Sequence, residues 1–197
     1  MASPATAQTT SLQPADWIRA ASTRLSEEGI GAVRVEVLAR DLGVSKGSFY
    51  WHFRDRGELL REMLARWEEG ELGWLNTRDR DLSAATRWAR LIERTADPAH
   101  ARTETAMRAW ARRDENVARR IAAIEERRAS VIAEVLRDVG FSVPAAESWS
   151  EIVLLICLGW IDRTTRDPQF QFVSRGLGEL LSNVILAASA RSAALNR

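Results

Sequence analysis

The 197 residues carry 28 basic and 27 acidic side chains, a net charge of +1, so the chain as a whole is not marked as a polyanion binder. With 46% hydrophobic and 28% charged residues the composition is that of a packed globular protein and excludes a disordered one. One cysteine, Cys157, excludes an internal disulfide; no signal peptide opens the chain and no apolar run approaches the roughly 18 residues of a membrane span, so a cytoplasmic protein away from membranes is expected.

Residues 1–11, MASPATAQTTS, are small and polar and are expected to form a disordered tail. The tail has no Arg or Lys, which argues against a minor-groove arm. A first helix is predicted from about Pro14 to Glu28, with Ile18, Ala21 and Leu25 as its apolar face, Trp17 as an anchor and Gly29 as its stop. Ile30 and Val33 then tuck the linker beneath the next helix.

Val35, Leu38, Ala39 and Leu42 recur at i, i+3, i+4 and i+7, one face of a short second helix. Gly43 follows where a helix commonly ends in a left-handed residue. Val44 plugs the corner, and Ser45 is a good N-cap for a third helix whose Phe49 and Phe53 face inward. Two short helices joined by a three-residue turn containing glycine make a helix-turn-helix. The second of them opens with a cation and small polar groups, as a major-groove reader does. Between positions 34 and 56, five basic residues (Arg34, Arg40, Lys46, Arg54, Arg56) face three acidic ones (Glu36, Asp41, Asp55), a weak local bias that a dimer would double. Lys46 is the only lysine in the chain.

The stretch LARDLGVSKGSFYWHFRDRGELL resembles the DNA-binding signature of the tetracycline-repressor (TetR) family of transcriptional regulators. Ala39, Gly43, Val44, Ser45, Gly47, Phe49, Tyr50, His52, Phe53 and Leu59 match in order and spacing, with Arg56 where lysine is usual. The resemblance covers residues 15–65. It departs at Arg34, where a Ser or Thr usually caps the second helix, and at Gly57, which replaces an acidic residue.

Beyond the turn at Arg54–Arg56, Asp55 and Glu58 have capping-box spacing, and Leu59, Leu60, Met63, Leu64 and Trp67 continue a fourth helix to about Leu75. Trp88, Leu91 and Ile92 mark a fifth helix, broken near Asp97-Pro98. Met107 and Trp110 mark a sixth, ending around Arg113. Asp114 caps a seventh, in which Val117, Ile121, Ile124, Arg128, Val131, Val135 and Val139 trace a stripe to Gly140. Glu147 to Thr165 forms a strongly apolar eighth, and Phe170 to about Ala190 a last one. No alternating strand pattern appears. The expected fold is all-α with about nine helices: a three-helix head at 12–57 and a helical effector-binding and dimerisation bundle at 58–197. AMRAWARRDENVARRI, 106–121, is also similar to a segment in the bodies of many TetR-family members.

The candidate DNA-binding residues are Arg34, Ser45, Lys46, Gly47, Ser48, Tyr50, Trp51, His52 and Arg56. Ser45 and Lys46 lie at a helix amino end that favours phosphate, Gly47 permits close approach, and Lys46 or Ser48 can reach a base edge. The resemblance implies phosphate contacts for Tyr50, His52 and Arg56. Trp51 either packs on sugar or a thymine methyl or turns inward, and Arg34 is a candidate phosphate contact. Glu36 is read as facing solvent in preference to accepting from cytosine N4.

Six of the eight tryptophans lie beyond the head, and a large aromatic at helical spacing is first a packing residue. The resemblance implies a small-molecule pocket in the body, for which Trp67, Trp88, Met107, Trp110, Cys157 and Trp160 are candidates against the plain core reading. An aromatic pocket suits a flat apolar or cationic ligand. The stripes through Trp149, Ile152 and Ile156, and through Leu177, Leu181 and Val184, carry more apolar surface than one face needs and are the expected dimer interface. His52 and His100 fit no ligand spacing, Cys157 has no activating neighbour, and no nucleophile or phosphate-loop motif occurs, so neither metal, cofactor nor catalysis is expected. The reading is a ligand-responsive regulator, a repressor that binds a palindromic double-stranded DNA operator as a homodimer and leaves it on binding an unknown small-molecule effector. The alternative is a small-molecule sequestering protein with a vestigial head.

Overall fold

The computed structural model describes residues 12–76, 81–167, 170, 178, 179 and 183. They form eight α-helices and one 3-10 turn, with no strand among the described residues: α1 (Pro14–Glu28), the 3-10 turn (Ile30–Ala32), α2 (Val35–Asp41), α3 (Lys46–Tyr50), α4 (Arg56–Leu75), α5 (Ala84–Ala96), α6 (Pro98–Ala111), α7 (Glu115–Asp138) and α8 (Val143–Arg166). The tail at 1–11 and nearly all of the ninth helix expected at 170–190 lie outside the described residues. Packing divides the chain into two units, Met1–Ala65 and Arg66–Arg197, with the division inside α4 and later than the 57/58 boundary expected.

In the first unit, α1 opens with Pro14, and the Gln13 N–H donates to Asp16 Oδ2 at 2.8 Å. Trp17, Ile18, Ala21 and Leu25 are buried along one face, as the spacing predicts. Gly29, at φ 82°, stops the helix, and its N–H donates to the Leu25 carbonyl. Val33, Val35, Leu38 and Ala39 fill the space beneath α2. Gly43 takes φ 68°, the left-handed corner of the helix-turn-helix, and Val44 N–H reaches back to the Ala39 carbonyl at 2.9 Å. After it α3 is short, five residues, and Phe53 is buried just beyond its end rather than within it. Trp17 and Phe49 meet edge to face at 5.3 Å between centroids, and Phe49 stacks on Phe53 at 5.3 Å.

Each helix of the second unit is opened by a side chain that accepts the orphan N–H groups of a first turn, or by proline. Ser83 accepts from Thr86 N–H, Asp97 from Ala99 N–H, and Asp114 from both Asn116 and Val117 N–H. Pro144 does not precede the eighth helix but sits in its first turn, where a missing N–H costs nothing, so α8 begins at Val143 and not at Glu147. Long α7 and α8 pack on each other through Ile132, Val135, Leu136, Ala146, Val153 and Leu154, with Trp88 of α5 and Phe141 closing the cluster. Among the described residues one helix is long and apolar enough, by length and composition, to cross a membrane: α8, 24 residues, with mean hydropathy 1.3 over its most apolar 18. Much of its apolarity is used inward, on Val153, Leu154, Trp160 and Ile161.

A Cβ at Gly43 would meet nothing within 4 Å, so the cost of a side chain there is backbone strain alone. Gly43→Ala is expected to destabilise the head by about 1 kcal/mol in urea denaturation followed by circular dichroism. Gly43→Asn should recover part of that loss, since asparagine enters the left-handed region more readily.

Candidate nucleic-acid interface and effector cavity

The short α3 buries Phe49 and turns the rest of its surface outward. Tyr50 is 61% and Trp51 88% exposed, the latter the more open of the two, while Ser45, Lys46 and Gly47 are also exposed and Ser48 and His52 half-buried. The inward alternative for Trp51 is thereby removed. Ser45 occupies the N-cap with extended backbone, yet its hydroxyl makes no capping bond. A Cβ at Gly47 would meet only Ser45 Oγ, at 3.5 Å, so the fold does not demand glycine there. Lys46 Nζ lies 2.7 Å from Glu36 Oε1, an exposed pair that links the starts of α2 and α3. The sequence had left Glu36 facing solvent alone. Arg34 stands at the N-cap of α2, exposed and with extended backbone, and makes no side-chain cap.

Arg56, a phosphate contact by what the resemblance implies, makes bonds inside the head. Its Nε donates to the Val33 carbonyl at 2.5 Å and its Nη2 to the Ile30 carbonyl at 2.8 Å. The half-buried guanidinium thus ties the start of α4 to the 3-10 turn that precedes α2. Nothing in the sequence spacing pointed to those two carbonyls. Asp55 accepts from Glu58 N–H at 2.8 Å, and the Glu58 carboxylate accepts from Arg54 N–H at 2.6 Å, a capping box displaced by one residue.

Within the second unit a cavity of about 50 Å³ opens between α5, α7 and α8. Its apolar wall comes from Trp74, Trp88, Leu91, Ile132, Leu154 and Leu158, among others, and its polar end from Arg94, His100 and Arg128. Trp88 and Cys157, two of the candidate pocket residues, line it; Trp67, Met107, Trp110 and Trp160 do not. Met107, Trp110 and Trp160 are buried in packing instead, the outcome a large side chain on an inward face usually meets. Trp74, which sequence spacing did not single out, does line the cavity, with the Arg94 guanidinium 4.6 Å from its ring centroid. Burial pushes the Cys157 thiol above its ordinary pKa, so it is the protonated, unreactive form.

Behind the polar end lies a buried charge network. Arg128 donates through Nη1 to Glu104 Oε1 at 3.0 Å and through Nη2 to Glu104 Oε2 and Glu71 Oε2, each at 2.8 Å. Arg94 pairs with the other oxygen of Glu71, and Arg108 with Glu104. His100 Nδ1 is 3.8 Å from Glu71 Oε1. Burial lowers the His100 pKa, with Arg94 and Arg128 adding to that and Glu71 and Glu104 opposing it, so the imidazole is neutral at pH 7. Among the described residues no group of His, Cys, Asp and Glu is disposed to hold a metal.

On α8, Trp149 is half-buried against Phe141, at 6.5 Å between centroids, whereas Ile152, Leu155 and Ile156 lie exposed. Leu177, Leu181 and Val184 fall outside the described residues.

A helix-turn-helix head with an open reading face, joined to an all-helical body, defines the class of helix-turn-helix DNA-binding proteins. Residues 18–63 match the model of bacterial regulatory proteins of the tetR family. Over 51 residues the chain is 45% identical to the class A tetracycline repressor protein from transposon 1721 of Escherichia coli; that match spans 26% of this chain and 24% of the repressor. The fold is similar to a transcriptional regulator from Rhodococcus sp. Rha1, with TM-score 0.70 and 19% identity over 91% of this chain and 97% of that one. It is also similar to BioQ solved with its natural double-stranded DNA operator, with TM-score 0.52 and 24% identity over 89% of this chain and 99% of that one. The head is thus similar to the tetR family of bacterial regulatory proteins over residues 18–63, and the chain as a whole shares its fold with these solved structures.

The network makes stability depend on acid. Burial alone would raise the Glu104 carboxyl, but its hydrogen bonds and proximity to Arg128, with the charge of Arg108, outweigh that and hold it at about 2. A depressed carboxyl contributes stability above its unfolded pKa and loses it as pH falls through the folded one. On the order of 3 kcal/mol should therefore disappear between about pH 5 and pH 2. Glu104→Gln is expected to lower stability at pH 7 by roughly 3–5 kcal/mol, since it strips Arg128 of half its compensation. Urea denaturation of the variant should then vary less than wild type over that acidic window.

Proposed function

We propose that the protein is a ligand-responsive transcription regulator, a repressor in the cytoplasm that binds a palindromic operator as a homodimer and is released by a small-molecule effector. The observation that carries this reading is the division of α3 into a buried side, Phe49, and an outward side bearing Lys46, Gly47, Tyr50 and Trp51. Burying so few residues while exposing a tryptophan and a tyrosine makes sense when the surface has a partner. Ser45 and Lys46 meet phosphate at the start of α3, Ser48 and Lys46 supply base-edge contacts, and Trp51 supplies an apolar surface for sugar or a thymine methyl. Tyr50, His52 and Arg34 flank the backbone. Arg56 acts by holding the head together.

A single such head reads too few base pairs to select one site, and a two-fold pair of heads placed roughly 34–36 Å apart reads successive major grooves. The exposed stripe of Ile152, Leu155 and Ile156 on α8 supports a second copy as its cover. An effector acts by preferring one form of the body over another; it shifts the equilibrium only by its differential affinity for the two. The cavity is far below the roughly 300–1,000 Å³ of a typical small-molecule site, so a ligand that enters must widen it, which is one source of such a preference. The reading is that of a regulator and not of an enzyme.

Selection of sites from a random DNA pool at two salt concentrations tests the reading. A recovered palindrome supports it, whereas featureless, salt-sensitive DNA supports a sequestering protein with a vestigial head. Against the selected site, Lys46→Ala is expected to weaken binding by roughly tenfold and to reduce the slope of log K against log salt by about 1. Unchanged affinity and slope would remove Lys46 from the interface.

A further inference from the structure

The effector cavity has chemistry beyond its shape. Its walls are aliphatic and indole, its neutral polar groups are Thr95 and the Cys157 thiol, and the charged or titratable groups at its polar end, Arg94, Arg128 and His100, are cations or potential cations. The two carboxylates nearby, Glu71 and Glu104, stand behind those groups and are already occupied. Glu104 accepts Arg128 on both oxygens and Arg108 on one; Glu71 accepts Arg128 on one oxygen and Arg94 on the other. A cationic ligand would meet guanidinium groups before it met a carboxylate, since neither Glu71 nor Glu104 lines the cavity. We infer that the cavity takes an anionic amphiphile, an apolar chain or ring bearing a carboxylate, with its head against Arg94, Arg128 and His100 and its tail along Trp88, Leu154 and Leu158. This rests on the reading of the cavity as the effector site and replaces the flat or cationic ligand that the tryptophans alone suggested.

The arrangement tells the two guanidinium groups apart. Arg128 is locked by three hydrogen bonds and supplies a fixed positive field. Arg94 is the more exposed of the two, lies over the Trp74 ring and holds Glu71 by one oxygen, so it can turn toward an incoming carboxylate. Glu71 keeps Arg128 when Arg94 moves. His100 supplies the remaining charge. It is neutral in the empty cavity, facing Glu71, Glu104, Arg94 and Arg128, and an added carboxylate favours its protonated form. Binding then takes up a proton and tightens as pH falls through the ordinary imidazole range, while an aliphatic carboxylate stays ionised there.

The test uses three probes of one chain length, octanoate, octanol and octylammonium, titrated calorimetrically against the full chain. Octanoate is expected to bind at least about tenfold more tightly than either of the others. Arg94→Gln should abolish that margin while leaving octanol binding unchanged, an outcome that loss of folding could not produce. His100→Gln should remove the gain in octanoate affinity at lower pH. Equal binding of the three probes, or preference for octylammonium, overturns the anion assignment and leaves the cavity as an effector site. Absence of binding by all three overturns both.

Discussion

Arg128 is a largely buried guanidinium in the middle of α7, and the second unit is arranged around it. Taking such a charge out of water costs several kcal/mol even after relaxation, and a single partner rarely offsets that. Here Glu104 of α6 grips it with both oxygens, Glu71 near the end of α4 grips it with one, and Arg94 of α5 neutralises the remainder of Glu71. Apolar contacts such as those between Ile132 and Val153 tolerate sliding, because dispersion is nearly indifferent to direction. A fork of directed hydrogen bonds is not. The network therefore sets the register of α4, α6 and α7, while the surrounding apolar cluster supplies the driving force. Because the carboxylates lie behind the guanidinium groups, the same packing gives the cavity its positive end.

The head uses a smaller version of this logic. Two short helices cannot bury enough surface to hold themselves, and α3 contributes one fully buried side chain, Phe49. Its place is fixed from three sides: Trp17 edge-on from α1, Phe53 stacked just beyond, and the left-handed Gly43 corner that delivers the chain from α2. Arg56 then fastens the 3-10 turn by its carbonyls, so α2 needs no capping side chain at Arg34 to be held at its start. The departure from the family pattern at Arg34 is thus offset at a position more than twenty residues away in sequence. Orienting α3 this firmly leaves Lys46, Gly47, Tyr50 and Trp51 exposed on its outer side.

Features governed by local rules were legible in the sequence. Gly43 and Gly29 ended helices because the left-handed region is cheap only for glycine, Asp114 opened α7 as an N-cap, and the i, i+3, i+4 faces of α1 and α2 went inward. Features set by tertiary partners were not. Arg128 was read only as a member of the α7 stripe, since Glu71 and Glu104 are 57 and 24 residues distant in sequence. Trp74 and Trp110 have equal claim to a pocket by composition, and only packing decides that the first lines a cavity and the second does not. Arg56 matched a motif position, yet its bonds go to carbonyls, which carry no residue identity for a sequence to show. Local conformation is encoded by neighbours, whereas the roles of long side chains depend on what the fold brings to them.

The two kinds of ion pair in this chain also differ in what it takes to break them. Lys46 and Glu36 are both exposed, so water and salt replace either partner readily and the pair contributes little to folding. In the DNA-binding role proposed for Lys46, leaving Glu36 for a phosphate or a base edge would ask for no repacking. In the body the opposite holds. Removing a partner from Arg128 strands a charge away from solvent, so the network persists or yields only when another anion takes a carboxylate's place. A site that must release and rebind is thus built from exposed pairs, and one that must register the arrival of a particular charge is built from buried ones.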